Sequence, residues 1–292
     1  MGALDGRVAI ITGAGRGIGR EHALFFASEG AKVVVNDLGA TNDGTGADIS
    51  PAQQVVQEIE ARGGEAIVNG ENVADWEGAQ RMINAAIEHF GDLDILVNNA
   101  GILRDRVLVN MTEEEWDAVI AVHLKGHFAP TRWAAAYWRE QHKAGVVKPR
   151  NIVHTSSTSG LFSNPGQSNY GAAKTGIATF SQIVAKELIR YGVKSNTIAP
   201  GARTRLTLAT PGLEDIMTPK DGVFDQWDPA NISPLVAYLA SEACVFTGET
   251  FLVQGGNVTM IESWARGQSI DRESRWTVAD LSDAMTSLQR PG

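Results

Sequence analysis

The feature that most restricts how this chain folds is a cluster of glycines where an apolar run gives way to an amphipathic one. Arg7–Thr12 (Arg-Val-Ala-Ile-Ile-Thr) reads as a buried strand, and a helical segment extends to about Gly30. Between them stand Gly13-Ala-Gly15-Arg16-Gly17-Ile18-Gly19. Glycines here let the backbone turn tightly and approach a bulky charged group. The helix N-terminus behind them offers unpaired N–H groups and the positive end of a dipole, a setting suited to a pyrophosphate. The second strand, Lys32–Asp37, ends in an acid followed by Leu38. A carboxylate at Asp37 accepts hydrogen bonds from ribose hydroxyls and repels a 2′-phosphate, which favours NAD over NADP. Arg16 argues mildly the other way, since its guanidinium could pair with a 2′-phosphate; otherwise it is a solvated loop charge.

The rest of the chain keeps the same alternation, the pattern of a parallel sheet wrapped by helices. Further strands are expected at Glu65–Asn69, Leu93–Asn98, Asn151–Ser156, Val193–Ala199 and Thr250–Val253. Pro51 at a first helical position and the box Thr112-Glu-Glu-Glu115 mark helix starts. One long helix is expected from Thr112 to about His142. Residues 1–256 read as one domain. Its Pro- and Gly-punctuated segment 203–228 is expected to form part of a lid. Residues 257–292 read as an extension packing on the same domain or on a neighbouring subunit.

Chemistry concentrates at Ser157 and at Tyr170-Gly-Ala-Ala-Lys174. A spacing of four puts Tyr170 and Lys174 on one helix face. An ammonium beside a phenol favours the phenolate, so Tyr170 is expected to titrate low enough to act as a general acid or base. The Ser157 hydroxyl, at the end of a β-branched run, can bond the same substrate oxygen. Such a site exchanges a proton with an alcohol or carbonyl and needs a hydride carrier beside it. Asn98-Asn99-Ala100-Gly101 suits a wall against the adenine and nicotinamide ribose. Pro200-Gly201-Ala202-Arg-Thr204 ends the sixth strand, with Thr204 placed for the nicotinamide carboxamide. Asn72 and Val73 complete the expected cofactor contacts.

Together these residues resemble the short-chain dehydrogenase/reductase family. The carriers are TGxxxGxG at 12–19, NNAG at 98–101, Ser157, YxxxK at 170–174 and PGxxxT at 200–204. The resemblance implies a Rossmann-like, doubly wound parallel sheet of seven strands, and a Ser-Tyr-Lys site that oxidises alcohols or reduces ketones. A narrower set is similar to the dehydrogenase module of peroxisomal multifunctional enzyme type 2 and to bacterial (3R)-hydroxyacyl-CoA dehydrogenases. It comprises Val-Asn-Asp37-Leu-Gly39, the run Asn98–Arg106, Val-His123-Leu-Lys-Gly126 and Ser195–Pro200. That likeness implies NAD-dependent interconversion of a 3-hydroxyacyl-CoA and its 3-keto form. A hydroxysteroid or other secondary alcohol is the alternative substrate, and a non-catalytic NAD-binding regulator the alternative class. The family's usual catalytic Asn is replaced by His123, which the subgroup also shows. An imidazole there is either a proton relay or a helix histidine satisfied by backbone.

The rival chemistries lack parts. Ser157 has no G-x-S-x-G elbow, and His154 is merely near it in sequence. His123 and His127 are spaced as in zincins, but the Glu and a third ligand are missing, so no metal is expected. A net charge of −9 argues against nucleic acid or an anionic membrane as partner. The single cysteine, Cys244, excludes an intramolecular disulfide. No signal peptide or spanning run is visible, so a cytoplasmic location is expected. Trp133, Tyr137 and Trp138 cluster on the long helix, which in the family packs between subunits; a homodimer or homotetramer is expected.

Overall fold

Strand residues here alternate between two apolar layers because successive side chains of a strand point to opposite faces. The computed structural model describes residues 2–208 and 213–288. Its strands are β1 (Val8–Thr12), β2 (Lys32–Asn36), β3 (Glu65–Asn69), β4 (Ile95–Asn98), β5 (Arg150–Thr155), β6 (Val193–Gly201), β7 (Thr250–Gln254) and β8 (Asn257–Ile261). The helices are α1 (Gly17–Ser28), α2 (Ser50–Ala61), α3 (Trp76–Phe90), α4 (Glu113–Ile120), α5 (Gly126–Lys143), α6 (Thr158–Phe162), α7 (Ser168–Leu188), α8 (Arg205–Leu208), α9 (Leu213–Met217), α10 (Ser233–Ala240) and α11 (Val278–Met285).

The sheet runs β3-β2-β1-β4-β5-β6-β7-β8, parallel in every pairing from β3 through to β7. Ala9, Ile11, Val33, Val35, Ile95 and Val97 face one core layer, packed with residues of α1, α2 and α10. Val8, Ile10, Val34, Leu96 and Ile152 face the other, closed by α3, α5 and α7. Both faces are covered, as a parallel sheet requires. The chain leaves β3 and crosses back to place β4 beside β1. That reversal opens a crevice at the carboxyl ends of β1 and β4, where open α/β sheets bind ligands. The expected seven strands become eight. The addition is β8, which follows β7 after Gly255 and Gly256 and whose half-polar run carried no buried-strand signature.

The expected single helix from Thr112 to His142 is divided. Thr112 caps α4 through the foreseen box, accepting from Glu115 N while Glu115 Oε2 accepts from Thr112 N. Residues Ala121–Lys125 then form a π-helical turn before α5 begins. Such insertions mark functional sites, and this one presents His123. Trp138 is buried, with its indole N–H on Leu93 O, and the Tyr137 hydroxyl donates to Asp92. These aromatics of α5 thus pack within the chain. The lid segment holds α8 and α9; residues 209–212 of that expected segment, and 289–292 of the tail, lie outside the described residues. The chain divides into compact units at Met1–Met260 and Ile261–Gly292. In the second, Thr277 caps α11 and Arg272 pairs with Asp280. Among the described residues no helix is long and apolar enough to cross a membrane.

Candidate active site

The glycine turn is held from two sides. Asp37 Oδ2 accepts the Gly15 N–H at 2.7 Å and Oδ1 the Gly39 N–H at 2.6 Å. The acid expected at the ribose therefore also fixes the loop that would cradle phosphates. On the far side Thr12 Oγ1 accepts from Asn99 N and Ala100 N at 2.9 and 3.0 Å. The Asn99 side chain returns bonds to the Thr12 and Gly13 carbonyls. The NNAG turn and the glycine turn thus lock each other, which spacing alone did not reveal. A Cβ on Gly19 would lie 2.1 Å from Gly13 O and 2.6 Å from Asn99 Nδ2. Gly19→Ala is therefore expected to weaken dinucleotide affinity by about tenfold or more, through displacement of the turn; fluorescence titration with NADH measures it.

Ser157, Tyr170 and Lys174, the trio expected to carry the chemistry, meet at the other end of the crevice. Ser157 caps α6, with Oγ accepting from Ser159 N at 3.2 Å, and its hydroxyl lowers the pKa of the Tyr170 phenol. Tyr170 lies in the first turn of α7. Lys174 is buried one turn on, with Nζ donating to Thr155 O at 2.6 Å and standing 5.5 Å from the centre of the Tyr170 ring. The expected acidified phenol is not what these surroundings produce. Burial pushes Tyr170 up to about 12, against the downward pull of Ser157, with Asp105 adding to the rise. Burial likewise pushes Lys174 down to about 7. The amine faces a carbonyl rather than the phenol oxygen, and its own charge is costly, so desolvation outweighs attraction.

His123 sits edge-on to the Tyr170 ring at 5.0 Å. Its Nε2 lies 2.8 Å from Ile102 O and 3.1 Å from Ile102 N. One ring nitrogen cannot donate and accept together, and the shorter contact has it donating. Nδ1 is then the acceptor, buried with no protein partner. Burial holds this imidazole neutral, well below the usual histidine range. A Cβ on Gly101 would lie 2.5 Å from His123 Cε1, so the glycine of NNAG makes room for the ring. His154 turns to Asn98 and His127 rather than to Ser157, which removes the hydrolase geometry.

One cavity of about 680 Å³ joins both ends. Gly13, Arg16, Gly17, Ile18, Gly19, Asp37, Leu38, Asn72, Val73, Asn99, Ala100, Gly101, His123, Ser157, Tyr170, Lys174, Pro200, Gly201, Ala202 and Thr204 all line it. Gly15 is not on that lining; its N–H is turned to Asp37. Motif reading missed Asn42, Leu103, Thr155, Arg205 and Gln254, which also reach the cavity. Asn42 belongs to the loop after Gly39 and bonds across to the Leu103 N–H and the Arg205 carbonyl. Nothing in its sequence context marks a contact so far along the chain.

The crevice fits a dinucleotide. α1 starts without a side-chain cap, so the first-turn N–H groups of Gly17, Ile18 and Gly19 are left for an anion at the cavity wall. Fold and relatives together define an oxidoreductase. The short chain dehydrogenase family model matches residues 7–210, and the chain belongs to that family. It is 48% identical to peroxisomal multifunctional enzyme type 2 of Drosophila melanogaster over 84% of this chain, which spans 38% of that enzyme's length. It is 44% identical to hydroxyacyl-CoA dehydrogenase ChsB1 of Mycobacterium tuberculosis, over 88% of this chain and 80% of that one. A crystal structure of a short chain dehydrogenase from Mycobacterium avium superposes with a TM-score of 0.88 at 52% identity, covering 99% of this chain and 98% of that one. The family generally binds a nicotinamide cofactor.

Proposed function

We propose that this chain is an NAD-dependent dehydrogenase that interconverts a 3-hydroxyacyl-CoA and its 3-ketoacyl-CoA. The observation that carries the chemistry is the meeting of Ser157, Tyr170 and Lys174 at one end of a cavity whose other end is the glycine turn. Asp37 on the lining supports NAD, because a carboxylate there opposes a 2′-phosphate. The acyl-CoA class is supported by the name of ChsB1. Exposed apolar residues Phe162, Ile216, Val223 and Phe224, on α6 and in the lid segment, offer surface for an acyl chain.

A bound nicotinamide supplies or accepts the hydride, and its oxidised form adds positive charge at the site. The protein's residues do the rest. Ser157 donates to the substrate oxygen and orients it. Tyr170 gives its proton to that oxygen during reduction, a task suited to a phenol that burial keeps protonated. During oxidation it takes the proton back, and this step needs added positive charge nearby to bring the phenol down. Lys174 holds the Tyr170 face of α7 against β5 through Thr155 O, and its remaining N–H donors would serve a ribose hydroxyl of a bound nicotinamide.

A panel of (3R)-hydroxyacyl-CoAs, hydroxysteroids and simple secondary alcohols, followed by NADH absorbance, tests this reading. Turnover is expected with the CoA esters, with kcat/KM for NAD at least about tenfold above that for NADP. Turnover of hydroxysteroids without CoA esters would overturn the substrate assignment, and a preference for NADP the cofactor.

A further inference from the structure

The residue before the tyrosine belongs to no motif named above, yet it is fully buried and uses its whole amide. Asn169 Oδ1 accepts the Tyr170 N–H at 2.7 Å. Its Nδ2 donates to the Arg104 carbonyl at 3.0 Å and to the Glu115 carbonyl at 3.1 Å. The orientation of this amide is forced. A flipped group would set an oxygen against two carbonyls and an NH₂ against an N–H.

Those three bonds join the pieces that surround the reacting end of the cavity. Tyr170 N is one of the first-turn donors of α7 that no helical carbonyl can satisfy, and Gln167, at the helix start, supplies no side-chain cap. Arg104 follows Gly101, Ile102 and Leu103, which form a wall of the cavity, and Tyr170 packs against the apolar cluster that holds Ile102. Glu115 lies in the first turn of α4, whose continuation presents His123. The 101–103 segment is also held to the π-helical turn by the buried contact of His123 with Ile102. Further ties among the described residues are more peripheral, including Gln167 to Asp105, Arg106 N to Gly166 O, and the Arg106–Glu115 ion pair. Asn169 is the buried bolt beneath them.

We propose that Asn169 is a positioning residue for the reaction: it sets the phenol of Tyr170 against Ser157 and against the 101–103 wall, and so governs turnover rather than cofactor affinity. This rests on the reading of Tyr170 as the proton-transferring group. A helix cap alone would satisfy the Tyr170 N–H and do nothing more. The two Nδ2 bonds reach beyond α7, and they are what fixes the helix start relative to the substrate wall. Displacement of a reacting group by about 1 Å costs on the order of a hundredfold in rate.

Two variants separate the cap from the bolt. Asn169→Ser keeps an acceptor beside the Tyr170 N–H but cannot reach Arg104 O and Glu115 O. Asn169→Asp keeps the acceptor and, when ionised, turns a second oxygen on both carbonyls. When protonated it regains one donor, and burial raises its pKa into an accessible range. Ketone reduction is measured against wild type from about pH 6 to pH 9, with NADH binding followed by fluorescence as proof of folding. Both variants are expected to lose about ten- to a hundredfold in kcat while the NADH Kd stays within about twofold. The ratio of Asn169→Asp to wild type should rise as pH falls, whereas that of Asn169→Ser stays flat. Wild-type turnover in Asn169→Ser, or a pH-independent ratio for Asn169→Asp, overturns the proposal. Tyr170→Phe in the same assay separates the two readings: if it is active, the role of Tyr170 fails; if it is inactive while the Asn169 variants are unimpaired, only the bolt fails.

Discussion

Tyr170→Phe is expected to lower turnover in both directions by about three orders of magnitude, with folding and dinucleotide binding retained. General acid–base groups contribute about 10²- to 10⁴-fold. His123 does not replace it as proton donor, because the imidazole is held neutral with its Nε2–H bonded to Ile102 O, and Lys174 Nζ is turned to Thr155 O. The ring itself would stay. It packs with Ile102, Val119 and Ala173, and its edge-on contact with His123 needs no hydroxyl. The Ser157 hydroxyl keeps its bond from Ser159 N when the phenol is lost. Removing a hydroxyl of a partly buried ring at the cavity lining therefore costs little stability. Measuring NADH absorbance in both directions, beside fluorescence titration of NADH binding, checks both halves. A variant within tenfold of wild type would remove Tyr170 from the chemistry.

The sheet and the trio were legible in the sequence because each rests on local pattern. Buried parallel strands read as short apolar runs, a glycine turn needs particular residues, and a spacing of four defines one helix face. What was not legible depends on burial and on distant partners. The charge logic of Tyr170 and Lys174 reversed because their sequence spacing says nothing about solvent, and folding buries Lys174 and leaves Tyr170 only partly exposed. The π-helical turn was hidden because Ala121–Lys125 has ordinary helix-forming residues; His123 meeting Ile102 accompanies it. Asn169 was passed over because its three partners lie at Tyr170, Arg104 and Glu115. An asparagine beside a motif is silent until the chain brings those carbonyls to it. Asp37, by contrast, was placed at the cavity by its position at a strand end, while its bonds to Gly15 and Gly39 add a structural duty to the expected recognition.

Lys174→Met is expected to stabilise the ligand-free protein near neutral pH while removing most of its activity. In the fold the amine titrates at about 7, against an ordinary value of 10.5. Below about pH 7 both native and unfolded chains carry the proton, and the native chain bears the full cost of a buried ammonium. Between about 7 and 10.5 the unfolded chain holds a proton that the native one has lost, so stability rises with pH across that window. The cost at low pH is at most about 5 kcal/mol. Methionine escapes it but leaves Thr155 O without its donor, worth about 1–3 kcal/mol. The net gain is at most about 2–4 kcal/mol near pH 6.5, vanishing toward pH 10 and reversing there as the lost bond remains. Above pH 10 a second trend enters, since Tyr170 keeps its proton in the fold and loses it in the unfolded chain, which lowers stability as pH rises further. Urea unfolding of both proteins at several pH values resolves the two windows. Parallel curves would show that the Lys174 charge is solvated in the folded chain, whereas convergence between pH 7 and 10 would show an amine kept at the site despite its cost to the fold.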